Sequence, residues 1–452
     1  MSIPSFWDRE SLWLFVLFVS LYSLTMSGHL YTADGVLTYE TTRSLAERGS
    51  LELPRPGFLT LENTKGKPVS RYSWGQPILL MPFYWLGVIA GHLFADGASG
   101  KEAWCLGSVI FSSVVVGGLL VLATRYLSRV LGADERAALF VAFAAGCGSI
   151  LWVYSQDLFR NPLAALLLTT ATASLFGVHK RPRLVHLSGA AFLLLVQVRM
   201  DGLLALPILL GWLVWAGRNR AWIHRRAAII PWVLWSIGGL LLVGLNNLVR
   251  FGNPFRIPYN FYTESLLISI PGFIWSSDKS MFLYSPPLLL VLSAIPMVWR
   301  WRKSETVVIL ALALVYLVSY GKYHHWFGGR CWGPRYTIQF TPLLLATVGP
   351  WLLEKGRPIR ARWVIGWCAI GIGVLVQLTG LLIEQNVHMG LHHLRGITMD
   401  LMAGQLDPWW ARTWSSHRIL TVFGIIGLAG LCGVSAFGLM HCMQQRRGTC
   451  RG

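Results

Sequence analysis

With 452 residues, 54% of them hydrophobic and only 13% charged, and a mean hydropathy of +0.52, the chain is too apolar for the two or three soluble domains its length would suggest. A soluble domain carries about 25% charged residues. Half that share, with apolar runs recurring along the chain, marks an all-α polytopic membrane protein. The formal net charge of +19 invites a nucleic-acid reading, but the placement of the basic residues argues against it. They gather in short clusters between apolar runs: Arg125/Arg129/Arg136, Lys180/Arg181/Arg183, Arg218/Arg220/Arg225/Arg226, Arg300/Arg302/Lys303, Lys355/Arg357/Arg360/Arg362 and Arg446/Arg447/Arg451. Such loops stay on the cytoplasmic side, so membrane lipids are expected partners and nucleic acid is not.

The first apolar run, Leu12 to Met26, lacks a basic leader and a small-x-small cleavage site and reads as a retained helix. Further runs follow at about 77–94, 105–124, 137–154, 162–178, 184–199, 202–217, 228–248, 283–299, 305–321, 337–353, 363–383 and 418–441. The expectation is one transmembrane domain over 1–452 with about 12–13 spans. The other loops, 29–76, 155–161, 199–202, 249–282, 321–336 and 384–417, are rich in Trp, Tyr, His and Gly and form the external face. From 105 onward the two loop types alternate. At the front they do not: with Arg125 to Arg136 inside and the N-terminus cytoplasmic, 77–94 cannot be a single crossing. A re-entrant or interfacial hairpin, broken at Trp74-Gly75-Gln76-Pro77 and Pro82, is favoured. The seven cysteines show neither a disulfide framework nor a zinc spacing.

The first external loop opens Tyr31-Thr-Ala-Asp34-Gly35 and continues to Tyr39, Glu40, Arg43, Ala46 and Gly49, a spacing that predicts a short surface helix ended by the glycine. Asp34 at the water–membrane boundary suits a general base strengthened by partial desolvation; the plain alternative is an Asp that caps this helix. In the turn Tyr154-Ser-Gln-Asp157-Leu-Phe-Arg160-Asn161-Pro162, Asp157 and Arg160 suit a local ion pair and Asn161 a helix cap. Arg199-Met-Asp201 puts two charges at the end of an apolar run, costly unless they pair or line a polar cavity.

Two later loops carry cations on the external face: Arg250, Arg256 and Lys279 in the first, and Lys322, Arg330 and Arg335 in the run Lys322-Tyr-His324-His325-Trp326-Phe-Gly-Gly-Arg330-Cys-Trp-Gly-Pro-Arg335-Tyr336. External Arg and Lys among glycines and aromatics suit a phosphate or pyrophosphate head group, with the rings available to sugar or a lipid chain. Contact with anionic lipid is the alternative. His324-His325 is too short a pair for a metal site.

Taken in order, these stretches resemble the GT-C class of membrane glycosyltransferases, of the protein O-mannosyltransferase and aminoarabinose-transferase type. The likeness runs from Tyr31-Thr-Ala-Asp34-Gly35 through Tyr72-Ser-Trp-Gly75-Gln76-Pro77, Tyr154-Ser-Gln-Asp157-Leu-Phe-Arg160-Asn-Pro162 and Arg199-Met-Asp201 to Trp326-Phe-Gly-Gly-Arg330 and Arg335-Tyr336. It covers about residues 10 to 350. The chain departs from the usual paired acid because Gly35 follows Asp34, with Glu40 the candidate to compensate, and the usual Pro-Pro-Leu is replaced by Gln76-Pro77-Ile78.

The resemblance implies a GT-C-like bundle that moves a sugar from a polyprenyl-phosphate donor to a lipid, glycan or protein acceptor. The setting it implies is a bacterial inner membrane, with the chemistry on the periplasmic face. Asp34 would be the base and Asp157 the second acid, holding acceptor or metal. Arg330, Arg335 and Arg199 would bind donor phosphate. Glu40, Arg160, Asp201, Lys279, Lys322, His325 and Tyr336 complete the candidate substrate site. A divalent cation is optional and no other cofactor is implied. A flippase or carrier of an anionic lipid-linked substrate, or an O-antigen-type polymerase or ligase, would share the basic loops.

Overall fold

The computed structural model describes residues 6–26, 30, 32–57, 59–95, 97–216, 218, 222–258, 263–329, 331–354, 359–382 and 428–440. Arg330, the 384–417 loop and the basic tail lie outside the described residues. In chain order come α1 (Arg9–Thr25), α2 (Ala33–Arg48), a hairpin of β1 (Thr60–Glu62) and β2 (Pro68–Ser70), α3 (Gly75–Phe94) and α4 (Gly97–Leu131). Next are α5 (Glu135–Gly146), α6 (Leu151–Tyr154), α7 (Arg160–Gly177), α8 (Leu184–Val198), α9 (Leu206–Ala216) and α10 (Trp222–Phe251). The rest comprise α11 (Leu266–Trp275), α12 (Met281–Tyr284), α13 (Leu289–Trp301), α14 (Lys303–Lys322), α15 (Thr341–Ala346), α16 (Val348–Leu352), α17 (Ile359–Leu382) and α18 (Leu428–Met440).

Among the described residues, five helices (α3, α4, the 226–251 part of α10, α14 and α17) are long and apolar enough to cross a membrane. Several runs read as unbroken spans are divided instead. The run 137–154 breaks at Gly146-Cys-Gly148, and 337–353 becomes a 3₁₀ turn, Arg335–Gln339, followed by α15 and α16. Proline at 342 and 350 removes backbone donors in that stretch. The sequence reading missed the hairpin and α11, both inside stretches taken as loop.

Helix packing relies on small residues that let side chains approach backbone. Gly117 and Gly118 of α4 lie against Tyr22 and against Phe15 and Val19, and Gly146 of α5 lies against Phe18. The Tyr22 hydroxyl then donates to Gly146 O at 2.9 Å. At one end of these helices Asp8 caps α1 and accepts from Arg125, and from Arg129 at 2.7 Å; Glu135 pairs with both arginines. This ion-pair cluster ties the start of α1 to the end of α4, so the two helices run in opposite directions.

That constraint resolves the front-end topology. The start of α3 lies against the end of α8, with Gly75 on the backbone of Gln197, while Gly87 and Gly91 lie on Cys105 and Lys101 in the first turns of α4. Both ends of α3 are therefore at the end of the bundle away from Arg125. Although α3 has the length and apolarity of a span, it does not connect the two ends. At 35 residues α4 is about 52 Å long, well beyond a hydrocarbon core of about 30 Å. Its first turns carry α3. The expected break is corrected here: α3 is one continuous helix with Pro82 inside it.

Candidate active site

Thr32 caps α2, its hydroxyl accepting from Gly35 N–H at 3.0 Å, and Gly49 ends the helix in the left-handed region with φ of 61°. The helix starts earlier than its predicted polar face, and Thr32 rather than Asp34 is the cap. Asp34, two residues past the cap, takes no part in capping the helix. Its Oδ2 accepts from Arg335 Nη1 at 2.9 Å across 301 positions of sequence, and its Oδ1 accepts a short bond from the Tyr72 hydroxyl. Burial pushes this carboxyl up. Arg335 first, then Arg160, the Tyr72 hydroxyl and Arg199 outweigh it, and the group is held below the usual carboxylate range.

Asp157 is fully buried. Its Oδ2 accepts from Thr32 Oγ1 at 2.8 Å and its Oδ1 from Leu158 N–H at 2.7 Å. Burial, with the nearby Asp34 charge, raises its pKa from 3.8 to about 7, against those two bonds. The position of Gly35 explains the missing acidic pair: a Cβ there would sit 3.0 Å from Asp157 Oδ1 and 3.0 Å from Thr32 Oγ1. The second carboxylate of this site arrives from another loop and occupies the space a side chain at 35 would need.

Arg160 stacks over the Tyr72 ring with Cζ 3.4 Å from the centroid. Arg199 forks onto Asp201, with Nη2 to Oδ2 at 2.6 Å, so this pair satisfies itself. It also reaches Asn161 Oδ1 at 3.2 Å, while Asn161 Nδ2 donates to Arg335 O at 3.0 Å. Asn161 is thus a bridge between two arginines; the expected cap position of α7 belongs to Phe159, with no side-chain bond. Tyr320 donates to Asp201 Oδ2 at 2.8 Å and stacks on Tyr336, centroids 4.6 Å apart. Among the described residues, Arg335 Nε is buried and finds no hydrogen-bond partner.

Two of the expected phosphate-binding cations are engaged elsewhere. Lys279, 5% exposed, donates to the carbonyls of Cys331 at 2.9 Å, Gly333 at 3.1 Å and Gly329 at 3.3 Å. It ties down the loop that carries Arg335. Arg250 donates to the carbonyls of Ser70 and Tyr72. Lys322 and His325 lie exposed on the Arg335 loop; burial, then the charges of His324 and Arg335, lower the His325 pKa. Glu40, six residues beyond Asp34 on α2, is about 9 Å further along the axis and turned away from it, so it does not serve as the second acid. Tyr72, Thr32 and Tyr320 were not singled out from sequence. For Thr32, the threonine three residues before a glycine amide was a readable cap signal; Tyr320 lies in an apolar run and gave none.

Among the described residues, the one acidic group close enough to hold a metal ion is Asp8, Glu10 and Glu135. It lies at the opposite end of α1, and the Arg125 guanidinium pairs with all three.

No family profile matches the chain, and no curated protein does. Solved structures do match. ArnT from Cupriavidus metallidurans bound to undecaprenyl phosphate aligns over 95% of this chain and 74% of its own, with a TM-score of 0.54 at 15% identity. The fold is similar to that of ArnT. The same protein in the apo state gives 0.53 at 15% identity over 94% of this chain and 72% of its own. An Archaeoglobus fulgidus oligosaccharyltransferase, tethered to an acceptor peptide containing the NVT sequon, aligns at 0.48 and 13% identity over 81% of this chain and 55% of its own. The expected GT-C-like polytopic bundle is borne out by the ArnT likeness, and at such identities the likeness is one of fold.

Proposed function

We propose that the protein is a GT-C-type membrane glycosyltransferase that moves a sugar from a polyprenyl-phosphate donor to an acceptor hydroxyl or similar nucleophile. The observation that carries this reading is the Asp34–Arg335 contact at 2.9 Å, with the charges of Arg160 and Arg199 acting on the same carboxylate. One site thus holds a base and the cations that a phosphate leaving group requires. The fold likeness to a protein solved with undecaprenyl phosphate supports a lipid-phosphate donor.

Asp34 takes the proton of the acceptor hydroxyl as its oxygen bonds to the anomeric carbon. The bond from that carbon to the phosphate oxygen breaks, and polyprenyl phosphate leaves with the electron pair. Arg335 offsets the charge on the leaving oxygen. A carboxylate held down by Arg335 is a weak base. A donor phosphate that draws the guanidinium to itself restores the basicity of Asp34 as the reactants assemble. Arg160 lies beside the same carboxylate, while Arg199 and Asp201 brace Asn161 and so the Arg335 backbone. Buried Asp157 supports Thr32 and the start of α2. Lys322 and His325, exposed on the segment that leads to Arg335, are further candidates for contact with the head group. The site faces the periplasm of a bacterial inner membrane, opposite the basic clusters, within a single transmembrane domain.

The test uses membranes containing wild type, Asp34→Asn or Arg335→Ala, supplied with a panel of polyprenyl-phosphate sugars. Release of polyprenyl phosphate should be lost in both variants at unchanged expression. Wild-type turnover by Asp34→Asn would remove the base from this account.

A further inference from the structure

Arg250 closes the last turn of α10 and is 2% exposed, a position where a charge is costly unless every donor is used. Nη1 donates to Ser70 O at 2.7 Å and Tyr72 O at 2.6 Å, Nη2 to Asn247 Oδ1 at 3.2 Å and Nε to Asn246 O at 3.4 Å. One turn back, Asn246 Nδ2 donates to Ser73 Oγ at 3.2 Å. The end of α10 therefore grips residues 70–73, the segment leading out of β2, by backbone and side chain together. From that segment the Tyr72 hydroxyl reaches Asp34, and the Tyr72 ring carries Arg160 on its face.

We infer that Arg250 is a positioning residue for the base: by fixing the Ser70–Tyr72 backbone from 180 positions away it holds the Tyr72 hydroxyl on Asp34. This rests on the proposed role of Asp34 and deepens it. A buried guanidinium suits the task because Nη1 meets the carbonyls of Ser70 and Tyr72 while Nη2 and Nε are held by Asn247 and Asn246 of its own helix. Lysine would keep the charge and lose the contacts to Asn246 and Asn247 that hold the side chain in place.

Asp34 is faced by Arg335 from the loop before α15, Arg160 from α7, Arg199 from the end of α8, the neighbouring carboxyl of Asp157, and Tyr72. Of these, the Tyr72 donation depends on Arg250, and so does Arg160 through its stacking on the Tyr72 ring. Tyr72 stabilises the charged carboxylate, so losing its bond raises the Asp34 pKa. One hydrogen bond to a charged group corresponds to a shift of about one to two pH units.

The experiment is an infrared pH titration of the carboxyl stretch in the reconstituted full-length protein, with the Asp34 component identified as the band lost in Asp34→Asn. Tyr72→Phe and Arg250→Gln should each move that titration to higher pH. Tyr72→Phe added to Arg250→Gln should move it no further, and Arg250→Lys should restore part of the shift. Asn246→Ala, which releases Ser73 alone, should give a smaller shift of the same sign and serves if Arg250→Gln does not fold. An Asp34 titration unmoved in Arg250→Gln and Asn246→Ala, or fully additive shifts, would overturn the inference. The readout needs no substrate, so it stands apart from failure of the transferase reading, which shows as turnover in Asp34→Asn.

Discussion

Arg335 pairs with Asp34 in this structure and is proposed to receive the donor phosphate, so removing the Asp34 charge should tighten lipid-phosphate binding while ending turnover. The contact is one charge-assisted bond of 2.9 Å, and the two side chains are only 19% and 17% exposed. Such bonds are worth about 1.5–3 kcal/mol. An asparagine at 34 still offers Arg335 a neutral acceptor, so a net gain of about 1–2 kcal/mol is available to an incoming phosphate, or roughly five- to thirty-fold in affinity. The assay is titration of undecaprenyl phosphate into protein in nanodiscs, followed by tryptophan fluorescence, with Arg335→Ala as the expected weak binder. Equal or weaker binding by Asp34→Asn would refute competition between carboxylate and phosphate for one guanidinium.

Gly35→Glu would write in the acidic pair usual in the GT-C class that the sequence resembles, yet its Cβ would meet Asp157 and Thr32 at 3.0 Å. Crowding of this kind costs about 1–3 kcal/mol, so thermal stability and transfer should both fall; wild-type activity would contradict the packing. Because the folded pKa of Asp157 is raised from 3.8 to about 7, its contribution to stability is full below the lower value and lost as pH rises through the upper one. The melting temperature of Asp157→Asn relative to wild type should therefore climb between about pH 4 and about pH 7, and parallel curves would show that Asp157 does not take up a proton on folding. In intact cells, a cysteine replacing Lys101 should react with a membrane-impermeant thiol reagent and one replacing Arg136 should not; the reverse pattern would overturn the proposed orientation of the bundle.

The membrane class and the α2 helix with its glycine end could be read from sequence because each rests on local composition and spacing. Asp34 and Arg335 could be named but not joined, since no periodicity relates residues 301 positions apart. Lys279 and Arg250 were taken as phosphate ligands because external cations among glycines suggest one. The sequence does not reveal that backbone carbonyls of the 329–333 loop and of residues 70–72 already hold those donors. The parity at the front of the chain was visible from charge alone. Its resolution needed the Asp8–Arg125 tie, which fixes the direction of α4 and leaves α3 with both ends on one side.

A cryo-electron microscopy structure of the protein with undecaprenyl phosphate in nanodiscs tests the central claim most directly. The account requires the phosphate within hydrogen-bond distance of Arg335, with the Arg335–Asp34 bond broken and the Asp34 carboxylate turned towards open space beside it. A phosphate bound elsewhere, with that bond intact, would contradict it.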